Sequence, residues 1–105
     1  MALYRIDFES LEWQSSLPGA RFKAHREGGR QLRLVEFTSE FAEPGWCERG
    51  HAGLVLEGRL EVAFRGRTVP FPEGSGLFIP AGPAHAHRAR SLAPVTRLVL
   101  VEEGS

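Results

Sequence analysis

His51-Ala-Gly-Leu54-Val-Leu-Glu57-Gly58-Arg59-Leu60-Glu61-Val62-Ala63-Phe64-Arg65-Gly66 reads as two strands and the turns that close them. In the second half Leu60, Val62 and Phe64 alternate with Arg59, Glu61 and Arg65, the period of a strand with one buried face. The first half, His51 to Leu56, is an apolar run of strand length that stops at Glu57-Gly58. Glycines at 58 and 66 close both segments where the chain must reverse.

The same punctuation continues on either side. Ala20 to Ala24 and Gln31 to Phe37 are expected strands, separated by Gly28-Gly29. Thr68 to Phe71, Gly76 to Ile79, Ala84 to Arg90 and Val95 to Val101 follow, with Glu73-Gly74 and the Pro80-Ala-Gly82-Pro83 corner between them. Residues 2 to 13 mix apolar and acidic side chains, Leu3, Ile6, Phe8, Leu11 and Trp13 among them, and suit an arm or edge strand as well as a short helix. Short strands at this spacing, without a long amphipathic helix, indicate an all-β sandwich or barrel. Residues 1–105 are read as one domain, an arm or edge strand at 1–19 and a barrel at 20–102. Leu54, Leu56, Leu60, Val62, Phe64, Phe71, Phe78, Leu98 and Leu100 are expected to supply its core or its sheet-packing surface.

Composition narrows the partners. Thirteen basic side chains balance thirteen acidic ones, which argues against a nucleic-acid footprint or a polybasic membrane surface. No apolar run reaches the length of a membrane span. Cys47 is the only cysteine, so no intrachain disulfide can form, and a lone thiol without a signal peptide fits the cytoplasm. Arg21, Lys23, Arg26 and Arg30 could attract an anion to a pocket mouth, but a solvated basic face is the simpler reading.

The chemistry is expected just before the apolar run, in Trp46-Cys47-Glu48-Arg49-Gly50-His51. Along a straight strand Cys47 and His51 would lie about 13 Å apart, too far to share an ion. A turn with Gly50 in the left-handed conformation would instead face them across neighbouring strands. His85-Ala-His87 comes later and, in a strand, would turn both imidazoles to one side. Taken singly, a cysteine is more often a small buried residue and a histidine a structural one. Together they make a thiolate and imidazole ligand set. Glu48 is expected in solvent, Glu57 in its turn, and Trp46 at a rim or interface.

Two motifs resemble the cupin family, small β-barrels of jelly-roll type. One is Leu54-Val-Leu-Glu-Gly58 with its alternating strand; the other is Gly74 followed by Pro80-Ala-Gly82-Pro-Ala-His85, the spacing Gly-x5-Pro-x-Gly-x2-His. The resemblance implies a metal set of two histidines and a glutamate from the first motif and one histidine from the second. Aligned on the first motif, Gly45 and Cys47 fall at the histidines, His51 at the glutamate, and His85 matches directly. Ala89 stands where the family often has asparagine. The expected metal ligands are therefore Cys47, His51 and His85, with His87 as a further ligand or a catalytic acid/base.

A sulfur ligand favours zinc among divalent transition metals, with iron, nickel or copper as alternatives. Two functions follow from the resemblance. One is a metal-dependent enzyme of oxygenase, isomerase or lyase type acting on a small organic molecule. The other is a non-catalytic module that binds or senses a small molecule through a degenerate site. Cupins commonly pair their sheets, so a homodimer is expected.

Overall fold

The computed structural model describes residues 4–103; Ala2 and Leu3, part of the expected arm, lie outside the described residues. Among the described residues nine strands form two antiparallel sheets, the jelly-roll arrangement that the resemblance implies. β1 (Gln14–Leu17), β2 (Ala20–Glu27), β3 (Arg30–Thr38), β4 (His51–Glu57), β7 (Gly76–Ile79) and β9 (Val95–Glu103) make the larger sheet, in the order β1-β2-β3-β9-β4-β7. β5 (Arg59–Phe64), β6 (Arg67–Pro72) and β8 (His87–Ser91) make the smaller, in the order β6-β5-β8. The alternation at 59–65 thus becomes the central strand of the second sheet, with Leu60 and Val62 buried.

The C-terminal strand lies between β3 and β4, so the end of the chain joins its beginning to its middle. Its inward phase is Thr96, Leu98, Leu100 and Glu102, all buried. Val35, Val55, Leu60, Val62, Leu77, Ile79, Leu98 and Leu100 make the core, with Phe22, Phe37, Phe64 and Phe71 packed against it. Of the residues expected in the core or on a sheet-packing surface, Leu54, Leu56 and Phe78 lie on the outer surface, Phe78 at 85% exposure. In a short apolar run both faces look alike, and Val55, Leu77 and Ile79 took the inner face. The outer face of the large sheet is partly covered by the chain's own start. Lys23, which was expected in solvent, is buried there, donating to the Phe8 carbonyl at 2.7 Å beneath the Trp13 ring.

The Pro80–Pro83 corner shifts the start of the next strand. Gly82 adopts φ 117, open to glycine and strained for other residues, and Pro83 starts a 3-10 turn, Pro83–His85. That turn uses up the residues expected to begin the strand, and β8 starts only at His87.

Candidate metal centre

Residues 41–47 run beside β8 and extend the small sheet by an irregular strand. Ser91 donates its amide to the Phe41 carbonyl, and the Glu43 amide donates to Ala89. Cys47 and His87 exchange both backbone hydrogen bonds, at 2.7 and 2.9 Å. Cys47 is therefore paired with His87, not with His51 across a hairpin. Gly50 is not among the glycines of positive φ. Its hydrogen side chain is needed for another reason: a Cβ there would lie 2.9 Å from the Ala81 amide nitrogen. The close approach of residue 50 to the proline corner brings the start of β4 against the start of β8.

His51 projects inward from the large sheet towards Cys47 and His87 at the edge of the small one. Cys47 Sγ and His51 Nε2 are 3.9 Å apart, and the His51 and His87 rings meet edge to face at 5.1 Å. One ligand atom from each of Cys47, His51 and His87 lies within 4.8 Å of the other two. A tetrahedral ion with zinc-like bonds spaces its ligand atoms by about 3.3 to 3.8 Å.

His85 was expected to join Cys47 and His51, and the group brought together here holds His87. His85 is exposed at the end of the 3-10 turn and lies outside the group. Its carbonyl accepts from His87 Nδ1 at 2.9 Å, so it contributes backbone only. His87 is 2% exposed and occupies the inward position. The two histidines do not share a face because only the second belongs to the strand.

The hydrogen bonds set the tautomers. His87 Nδ1 faces a carbonyl and must carry its proton, which leaves Nε2 of the neutral ring as an acceptor. That atom is buried and has no partner. His51 Nδ1 donates to Glu102 Oε2 at 2.5 Å, so a His51 ring with a single proton presents Nε2 as an acceptor as well. Two such nitrogens beside a thiol form a set of soft and borderline donors. The residues fit a metal ion.

Glu102 was not foreseen as part of the site. Its side chain is fully buried and accepts from Gln31 Nε2 and Arg33 Nε at 2.6 Å each, from Arg33 Nη2 at 2.7 Å, and from His51. Burial by itself would push this carboxyl up. The bonds from His51 and Arg33, with the charges behind them, outweigh burial and hold it down at about 2. A carboxylate behind a ligand imidazole fixes the ring's orientation and raises its basicity. A signal was present in the sequence: Glu102 continues the alternation of Leu98 and Leu100.

The other marked side chains lie outside this group. Trp46 is on the surface between the Arg65 and Arg88 guanidinium groups, each 4.5 Å from its ring centre. Glu57 accepts from Arg97 at 3.2 Å, and Glu48 is exposed. Ala89 places no polar group in the pocket.

The Cupin domain family matches residues 44–101, so the chain belongs to the cupins. No curated protein matches it in sequence. Among solved structures it is similar to KdgF from Halomonas sp., with TM-score 0.77, 22% identity, and 92% of this chain and 89% of that one covered. A protein of unknown function from Rhizobium leguminosarum bv. viciae 3841 aligns over 100% of both chains at TM-score 0.78 and 18% identity. The polyketide cyclase RemF from Streptomyces resistomycificus aligns at TM-score 0.75 and 22% identity, over 94% of this chain and 78% of that one. At these identities the likeness is one of fold.

Proposed function

We propose that this cupin binds a divalent transition metal, zinc by preference, through Cys47, His51 and His87, and that a small organic molecule reaches the same site through the barrel. The observation that carries this reading is the buried, unpartnered His87 Nε2 facing a thiol and a second acceptor nitrogen. A bound ion would supply Lewis acidity towards an oxygen or nitrogen of the substrate. Glu102 would hold His51 in its ligating tautomer, and the His85 carbonyl would do the same for His87. Of the two roles expected for His87, further ligand or acid/base, this reading takes the ligand. A thiol ligand suits a reducing compartment, in keeping with a cytoplasmic protein.

The cupin scaffold hosts several chemistries, so the reaction must be read from the site. Both readings, an enzyme of oxygenase, isomerase or lyase type and a binding or sensing module, use the same three ligands, and Glu43 on the cavity wall is the acid nearest to hand for the first. Metal analysis tests the ligands. Wild-type protein should carry close to one equivalent of zinc, lost in Cys47→Ala and in His87→Ala. Full occupancy in both variants refutes the assignment. Turnover on a panel of small organic substrates, abolished in the same variants, would decide for the enzyme reading.

A second copy of the chain is proposed as the partner. Leu54, Leu56, Phe78 and Val101 stand exposed on neighbouring strands of the large sheet's outer face, beside the part that the N-terminal arm covers. Light scattering should give a dimer for the wild type and a monomer for Phe78→Glu. A monomeric wild type at micromolar concentration discards the pairing.

A further inference from the structure

His51 and His87 also form part of the wall of a cavity of about 130 Å³ inside the barrel. Most of the rest is apolar, including Phe22, Phe37, Phe41, Leu77, Ile79 and Leu98. Phe37 and Phe41 stack at 3.8 Å with their planes 4° apart, giving the wall a flat aromatic element. An apolar cavity of about 150 Å³ takes benzene, so the slightly smaller space here sets the scale of an occupant at no more than one small ring. The charged side chains on the wall already have partners. Arg33 is held by Glu102, Arg21 by Glu36, and Glu43 by the amide of Ala89. Among the described residues two buried side-chain atoms lack a hydrogen bond, Gln31 Oε1 and His87 Nε2, and only His87 lines this cavity.

We infer that the cavity takes a neutral molecule of one ring bearing a single oxygen or nitrogen donor, a phenol being the simplest example. The ring lies among the phenylalanines and the donor points at the cluster of Cys47, His51 and His87. A polyol or a multiply charged acid is refused, because its hydroxyls or charges would be buried against Phe and Leu without partners. The donor end rests on the metal reading; the ring end stands without it.

Fluorine NMR titration separates the two. Fluorobenzene should bind metal-free protein at one saturable site, and zinc should leave that affinity unchanged. 4-Fluorophenol should bind about tenfold more tightly to zinc-loaded than to metal-free protein. Ala89→Phe, at the half-buried edge of the cavity, should weaken both probes on the order of tenfold while keeping the zinc content. Leu77→Ala enlarges the space and should admit 1-fluoronaphthalene, which the wild type refuses. If no zinc is taken up, the metal reading fails and fluorobenzene still decides the ring pocket. Absence of saturable fluorobenzene binding overturns the inference, as does gluconate binding more tightly than 4-fluorophenol.

Discussion

Two buried polar clusters stand at opposite ends of β8 and β9. At one end Ser91 closes β8 and Thr96 lies at the start of β9; at the other His87 opens β8 and Glu102 lies near the end of β9. The Ser91 and Thr96 hydroxyls are 2.8 Å apart, and Thr96 both donates to the Arg59 carbonyl and accepts from the Arg59 amide. That network is closed. At the other end Glu102 is saturated by Gln31, Arg33 and His51, yet His87 Nε2 has nothing to bond. Burial of polar atoms is common to both clusters and marks neither as a site. Unfinished bonding sets His87 Nε2 apart, because a buried polar atom without a partner costs stability that a ligand or a water recovers.

The largest effect that separates the two ends is expected from Glu102→Ala. It strands the Arg33 guanidinium in the barrel and should lower the unfolding free energy by about 3 to 5 kcal/mol. Metal affinity should fall about 10- to 100-fold with it, since His51 loses its anchor. Urea denaturation and a zinc titration measure the two; intact stability would show that the buried carboxylate supports nothing.

Acid should act next. The folded Glu102 carboxyl, held at about 2 against an ordinary 4.5, favours the native state above pH 4.5 and ceases to do so as pH falls towards 2. The loss amounts to about 3 kcal/mol, and Glu102→Gln should remove it from the stability profile between those limits. A variant whose acid sensitivity matches the wild type contradicts the pairing.

Thr96→Val keeps the shape of the side chain and unbonds Arg59 and Ser91, costing about 1 to 3 kcal/mol. Its zinc affinity should equal that of the wild type. A large drop in affinity would mean that the closed cluster is coupled to the open one.

The smallest effect belongs to His85→Ala, which should leave zinc stoichiometry and stability unchanged within error, in contrast to His87→Ala. The reverse result would return the ligand position to His85.

Residues 59–65 announced their strand because alternation is a local property, and the glycine punctuation placed most other strands in the same way. Cys47 and His51 could be picked out together because a sulfur and an imidazole separated by one turn meet in many backbone geometries. Their route to each other could not. A left-handed Gly50 was expected, whereas the chain uses that glycine to pass close to Ala81. The place of His85 was hidden for a related reason: the motif spacing is satisfied by His85, but the 3-10 turn at Pro83–His85 keeps that residue out of the strand.

The sequence by itself determined most of the strands, the cupin family and two members of the proposed donor set, Cys47 and His51, since each depends on residues a few positions apart. Only the tertiary structure decided which histidine faces inward, and only it brought Glu102 to His51 across 51 positions of chain. The physical reason is register. β9 must enter between β3 and β4 and its phase must put Leu98 and Leu100 in the core before the glutamate two residues further on can reach the imidazole.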